Sequence, residues 1–180
     1  RFIQVTGVQT CALPIFKDAV SIELRPKEVE QRLDIGNWEI DTVLGKPGTG
    51  GLVTVVDRKT RLLLAAKIED KTASAVQTAL IRLLEGMECR TLTTDNGKEF
   101  ARHKEVSAAL GVPVYFAHPH SPWERGTNEN TNGLIREYLP KGIDFREVRN
   151  GDVLRITERL NNRPIIQRSE ERRVGKECRS

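Results

Sequence analysis

The sequence has few cysteines, no long apolar run and no large excess of charge of either sign, and each shortage closes off a class of protein. No apolar stretch approaches the roughly 20 residues that a membrane-spanning helix needs, so no such helix is expected. Of three cysteines, Cys11 and Cys178 lie near the ends and only Cys89 falls in the body. A disulfide framework is therefore excluded, and a lone Cys89 reads as a small apolar residue ahead of a strand in a reducing compartment. Nor does a Cys pair accompany His118 and His120, which stand two apart in a Pro-bounded loop. Zinc is thereby disfavoured, leaving substrate contact or plain solvation for these imidazoles, while His103 reads as a surface helix residue. The net charge is only +4, from 29 Lys and Arg against 25 Asp and Glu. That balance is compatible with a polyanionic partner but is shared by many proteins that never meet one. There is no internal repeat and no low-complexity segment.

What is present fits one soluble globular domain: 180 residues, 38% hydrophobic and 30% charged, enough to bury a single core. The two ends read differently from the body. VTGVQTCALPI (Val5 to Ile15) and RSEERRVGKECRS (Arg168 to Ser180) resemble in-frame translations of sequencing adapters, so residues 1–16 and 169–180 are expected to be artefact. The alternative, a secretion signal in front and a basic tail behind, is the poorer fit because the apolar front segment is short, is interrupted by Pro14 and lacks a basic leader. Without these ends the charge falls to +2, with 24 basic and 22 acidic residues. Residues 17–34 then form a lead-in and residues 35–168 the folded core.

From about Ile35 the pattern is that of an α/β domain. WEIDTVL (Trp38 to Leu44) reads as a strand, the Gly- and Pro-rich segment Gly45 to Gly51 as a loop, and LVTVVD (Leu52 to Asp57) and RLLLAAKI (Arg61 to Ile68) as two more strands. Short connections make these an antiparallel meander. Val76, Leu80, Leu83 and Leu84 then recur at helical spacing, predicting a helix over roughly Thr72 to Glu85 with Ser74 and Gln77 as a capping box. A strand at Arg90 to Thr94, a helix at His103 to Leu110 stopped by Gly111, and a strand at Val114 to Ala117 continue in the rhythm of a parallel sheet covered by helices. Two further helices are expected, Thr127 to Leu139 stopped by Pro140 and Asp152 to Asn162 ending before Pro164.

Asp41 sits in the first strand and Asp95 at the end of the fourth, where α/β sheets form their ligand crevices. Taken singly, each is better explained as a turn or helix-capping aspartate. Glu129 adds weight, because it shares one side of a polar helix face with Asn132 and Arg136, while Leu134, Ile135, Tyr138 and Leu139 supply the buried side. Three carboxylates gathered at one place repel each other unless a cation lies between them. Mg²⁺ suits such hard oxygen ligands, and two ions about 3.5–4 Å apart can stabilise the attacking and leaving oxygens of a displacement at phosphorus.

WEIDTV, TTDNGKEF and SPWERGTNENTNGLIREYLPKG resemble the corresponding blocks of the insertion sequence thirty family of bacterial transposases, and the likeness runs from about Leu24 to Pro164. Between Asp95 and Glu129 stand 33 residues, the spacing that this family's acidic triad has. The resemblance implies a ribonuclease-H-like integrase core: a five-stranded mixed sheet, three antiparallel strands then two parallel ones, flanked by helices. It implies Asp41, Asp95 and Glu129 as ligands of two Mg²⁺ or Mn²⁺ ions and not as general bases. The reaction implied is strand cleavage at an element's end followed by transfer of the 3′-hydroxyl. DNA, as transposon ends and target, is the expected partner, with homo-oligomers on the DNA and a cytoplasmic location. Arg125, Asn128, Asn132, Arg136 and Lys141 are the expected DNA-backbone contacts, although each taken alone is better explained as a solvated side chain.

Some features depart from the family. Asn37 stands where His is common, the amino-terminal helix-turn-helix region is missing, and Ile165 and Ile166 do not follow the pattern after NNRP. A fragment with weak, salt-dependent DNA binding and no complete transposition is expected. The rival readings are a nuclease of the same fold that cuts without joining, and a catalytically dead nucleic-acid-binding remnant of a broken gene.

Overall fold

A computed structural model describes residues 16–119 and 121–164. Both expected adapter segments lie outside the described residues, apart from Phe16, as do His120, Ile165 and Ile166.

The strands are β1 (Val20–Ser21), β2 (Asn37–Leu44), β3 (Gly51–Asp57), β4 (Leu63–Ile68), β5 (Thr91–Thr94) and β6 (Val114–Phe116). They form one sheet in the order β1-β6-β5-β2-β3-β4. β2, β3 and β4 pair antiparallel, and β5 and β6 run parallel to β2. This is the expected five-stranded mixed sheet with one addition: the lead-in supplies β1, two residues long and parallel to β6. A two-residue edge strand carries too little periodicity to be read from a sequence.

The helices are α1 (Glu28–Gln31), α2 (Ala73–Leu84), α3 (His103–Leu110), α4 (Gly126–Tyr138) and α5 (Asn150–Asn161). The expected capping box at the start of α2 is absent; Thr72, not Ser74, is the N-cap, and its hydroxyl accepts the Ala75 N–H at 3.2 Å. Gly111 ends α3 as expected, in the left-handed region at φ 69°, where a side chain would be strained. No helix among the described residues is long and apolar enough to cross a membrane.

Alternation along the strands divides the core in two. Trp38, Ile40, Val53 and Val55 point to the side covered by α2 and α3, where they meet Val76, Leu80, Leu84 and Val106. Val43, Leu52 and Val56 point the other way, against Ile135 and Leu139 of α4, Val153 of α5, and Phe145. β3 is buried along its whole length, as expected of a strand covered on both faces. The edge strand β4 is closed by α5: Asn161 donates to the Leu63 carbonyl at 2.9 Å and accepts the Leu63 N–H at 2.8 Å, satisfying groups that an open edge would leave to another chain.

His103 differs from its expected place on the surface. Its ring packs edge-on against Phe116, with centroids 5.0 Å apart, and lies 5.5 Å from the ring of Phe16. The helical pattern identified the helix but not the aromatic partners brought by a distant strand.

Candidate active site

On β2 the residues between the apolar ones carry the polar chemistry. Glu39 and Asp41 are two apart and therefore project from the same face of the sheet, the face covered by α4. The helix lies along the strand in matching steps. The Asn128 N–H donates to Glu39 Oε2 at 2.9 Å, Asn132 Nδ2 donates to Asp41 Oδ2 at 3.0 Å, and Arg136 Nη2 donates to the Leu44 carbonyl at 2.8 Å. Four helical residues advance about 6 Å and two strand residues about 6.6 Å, so the first two contacts repeat with almost no drift.

Asp95 follows the last residue of β5, the parallel neighbour of β2. Its Oδ1 accepts the Gly97 N–H at 2.9 Å, and the turn is tight enough that a Cβ on Gly97 would stand 2.5 Å from Glu99 Oε2 and 2.9 Å from Asp95 Oδ1. Asn96 Nδ2 donates to the Ala117 carbonyl at 2.7 Å and ties the end of β5 to the end of β6. Asp95, Asn96, Gly97, His118, Ser121 and Arg125 line an open cleft of about 320 Å³.

A single guanidinium joins the two aspartates. Arg125 places Nη1 3.2 Å from Asp41 Oδ2 and Nη2 3.4 Å from Asp95 Oδ2. Burial pushes the Asp41 carboxyl above its ordinary pKa, against the pull of the Arg125 charge and the Thr42 N–H, and the neighbouring Asp95 charge pushes the same way as burial. A carboxylate within β2 and one just past the end of β5 thus converge on one positive charge, as oxygen-only donors suited to a hard cation.

Glu129 stands apart from this pair. It is exposed, its side chain makes no hydrogen bond or ion pair among the described residues, and no three Asp, Glu, His or Cys side chains there are grouped to hold a metal. Its helical position nonetheless flanks the pair: Arg125 lies four residues before it and Asn132 three residues after it, on neighbouring strips of the helix surface.

Residues 34–122 match the integrase core domain family. The chain is 45% identical over 150 residues to the transposase for insertion sequence element IS1086 of Cupriavidus metallidurans, a match covering 82% of this chain and 44% of that protein. It is 39% identical over 146 residues to the transposase InsI for insertion sequence element IS30A of Escherichia coli K12, covering 79% and 38% respectively. Residues 34–122 thus carry an integrase core, and over most of its length the chain is similar to transposases of the insertion sequence thirty family. It spans less than half the length of these relatives.

Solved structures agree on the fold. The catalytic core domain of BIV integrase matches with a TM-score of 0.59 at 20% identity, over 73% of this chain and 87% of that one. A chain of the simian T-cell lymphotropic virus intasome in complex with PP2A regulatory subunit B56 gamma matches with a TM-score of 0.60 at 19% identity, over 73% and 50%. The ribonuclease-H-like architecture expected from the sequence is therefore the one observed.

Within this integrase core the expected DNA contacts divide sharply. Asn128 is 0% exposed, so it is corrected from a DNA contact to a structural residue of the α4–sheet junction. Asn132 is half-buried against Asp41, Arg136 spends one end of its guanidinium on the Leu44 carbonyl, and Arg125 is engaged by the aspartates. Lys141 is exposed. Two acids of the integrase core went unread in the sequence. Glu39 is 0% exposed and pairs with Arg58 Nη1 at 3.0 Å. Glu99 is 6% exposed, lies 2.8 Å from Lys71 Nζ and accepts from Thr42 Oγ1 at 3.0 Å, which places it on the opposite face of β2 from Asp41. Two-residue spacing from Asp41 was the available signal for Glu39; for Glu99 there was none beyond its place in the DNGKEF block.

Proposed function

We propose that the chain is the catalytic core of a metal-dependent DNA transposase, which cleaves a strand at an element's end and transfers the resulting 3′-hydroxyl to another phosphodiester. The observation that carries this reading is the convergence of Asp41, within β2, and Asp95, just past the end of the adjacent parallel strand β5, on one guanidinium in an integrase core. Asp41, Asp95 and Glu129 would hold Mg²⁺ or Mn²⁺ ions, two in the full arrangement. Bound there, the cations would offset charge on the attacking and leaving oxygens.

The chain's own residues do the rest. Thr42 N–H and Asn132 Nδ2 fix the Asp41 carboxylate, and Gly97 N–H fixes that of Asp95, so both acids are oriented before any ligand arrives. Bringing Glu129 into the group requires its side chain to turn toward Asp41 over one helical strip. Arg125, now shared by the two aspartates, would be free to contact phosphate at the rim of the cleft if a cation took its place between them. Exposed Lys141, past the other end of α4, is a further candidate phosphate contact, and assembly of several copies on DNA in the cytoplasm completes the proposal.

The test supplies a duplex with a pre-cleaved, free 3′-hydroxyl end and Mn²⁺, and resolves joined from cut products. Joined products are expected, with Asp95→Asn or Glu129→Gln lowering their yield by about 10³-fold, the scale of several kcal/mol of lost charge stabilisation. Cut products alone would assign the chain to nucleases of this fold. Unchanged joining in Glu129→Gln would remove Glu129 from the triad.

A further inference from the structure

We propose that Glu39 is a positioning residue for Glu129, holding the first turn of α4 in register with Asp41 from beneath the helix. The inference rests on the reading of Glu129 as the third acid. It starts from a missing local cap: Arg125, the residue that opens α4, makes no side-chain hydrogen bond to the helix's first amides. Those first-turn N–H groups are orphans of helix geometry and need acceptors. Asn128 is the third residue of α4, and its N–H is taken by Glu39 Oε2 at 2.9 Å.

A cap that comes from the sheet differs in consequence from one that comes from the preceding loop. A local Ser or Asp would stabilise the turn wherever the helix lay. Glu39 stabilises it only where the helix lies directly over β2, two residues from Asp41, and a carboxylate at the positive end of the helix strengthens that preference. Glu129 follows Asn128 in the same helical turn, so the anchored Thr127–Asn128 peptide lies one residue before the third acid and fixes the turn that carries it.

The anchor itself is held rigidly. Glu39 Oε1 accepts from Arg58 Nη1 at 3.0 Å, and Arg58 Nη2 reaches Glu30 Oε2 at 3.0 Å. Glu30 also pairs with Arg25, whose Nη1 donates to Thr93 Oγ1 at 2.8 Å. Two arginines and two glutamates thus form a chain of zero net charge running from the lead-in segment to α4. Arg25, Arg58 and Glu39 are 5%, 3% and 0% exposed, so Glu39 is unable to swing to another partner without leaving the buried Arg58 guanidinium to the exposed Glu30 alone.

The test compares the whole chain with Glu39→Gln, which keeps the side chain's size and loses its charge, and with Glu39→Gln/Arg58→Met, which also removes the Arg58 guanidinium. Amide hydrogen exchange and Mn²⁺ affinity are measured for each, with Glu129 present and in a Glu129→Gln background. In both Glu39 variants the amides of Thr127 to Asn130 are expected to exchange faster by about tenfold, while those of α2 stay as they were. Mn²⁺ affinity is expected to fall by about tenfold with Glu129 present, the lower end of what ligand-orienting groups contribute, and not to fall further in the Glu129→Gln background. Recovery of thermal stability in the double variant without recovery of Mn²⁺ affinity would separate positioning from bulk stability in the proposal's favour. Unchanged exchange at the start of α4 would overturn it, as would an equal loss of Mn²⁺ affinity in both backgrounds. If the turn loosens but Glu129→Gln alone leaves Mn²⁺ affinity intact, Glu39 still anchors α4 and the triad reading is what fails.

Discussion

Glu39 and Asp41 occupy the same face of the same strand, lie under the same helix and bear the same charge, yet they are neutralised in opposite ways. Glu39 is sealed at 0% exposure, with a buried guanidinium on one oxygen and a backbone amide on the other. The Asp41 side chain keeps 21% of its surface and shares Arg125 with Asp95 at the rim of a cleft. One compensation is permanent and the other can be exchanged. A carboxylate that serves stability needs its counter-charge fixed, whereas one that serves chemistry needs a counter-charge that can leave.

Stability measurements break the comparison most directly. Glu39→Ala leaves the buried Arg58 guanidinium to the exposed Glu30 alone and orphans the Asn128 N–H, so a loss of about 3 kcal/mol in urea unfolding is expected, the lower end of the range for breaking a buried pair from one side. Asp41→Asn leaves Arg125 with Asp95 and keeps a side-chain acceptor for Thr42, so its stability should lie within about 1 kcal/mol of the parent. Equal losses in the two variants would abolish the distinction between a sealed and an exchangeable carboxylate.

Gly97→Ala comes next in size. The added methyl would meet Glu99 Oε2 at 2.5 Å and Asp95 Oδ1 at 2.9 Å, and the turn must open to admit it, at about 1–3 kcal/mol. Because Asp95 Oδ1 is held by the Gly97 amide, the same change should lower Mn²⁺ binding. Full stability together with full metal binding would show that the turn is looser than its geometry implies.

Arg125→Ala sharpens the other side of the comparison. With the resident guanidinium gone, Asp41 and Asp95 should bind Mn²⁺ more tightly. Each tenfold gain is worth about 1.4 kcal/mol and would appear as a larger rise of the unfolding midpoint on adding metal. An equal or smaller rise than in the parent would mean that Arg125 assists the cation and does not compete with it.

Much of this fold was legible because it follows from periodicity. Alternation in β2 and β3, the helical spacing of Val76, Leu80 and Leu84, and the stop at Gly111 are local signals, and the structure keeps them. Asp95 drew notice at a strand end, where such sheets hold ligands, but Asp41, inside its strand, was singled out only through the resemblance of the WEIDTV block. The role of Glu39 was not legible. A glutamate beside Trp38 in a strand looks solvent-facing until Arg58, 19 residues away, and Asn128, 89 residues away, arrive to bury it. Asn128 misled for the mirror-image reason, since a polar residue in a polar stretch of helix reads as exposed unless the strand beneath it is known to be polar too. Distant pairing also explains the lead-in, whose buried Arg25 and exposed Glu30 close the charge chain although nothing in their own neighbourhood announces it.

The smallest expected effect concerns a third carboxylate arrangement, at the mouth of the cleft. His118 Nδ1 lies 2.8 Å from Glu124 Oε1, its Nε2 lies 3.3 Å from Glu23 Oε1, and its backbone N–H donates to Glu124 Oε2 at 2.7 Å. The Glu124 hydrogen bond raises the His118 pKa above its ordinary value, with the Glu124 and Glu23 charges adding to it against a little desolvation. With a carboxylate at each ring nitrogen, only the protonated imidazole can donate to both. A raised folded-state pKa means that this contribution is complete below the unfolded value, near 6.5, and is lost as pH rises through the folded one. The 3-10 turn Pro122–Arg125, which ends in Arg125, should therefore be held more firmly at pH 6 than at pH 8.5. An NMR titration of the His118 ring should show a midpoint above 6.5 that drops in Glu124→Gln. A midpoint at or below 6.5 in the parent would leave the turn, and Arg125 with it, independent of His118.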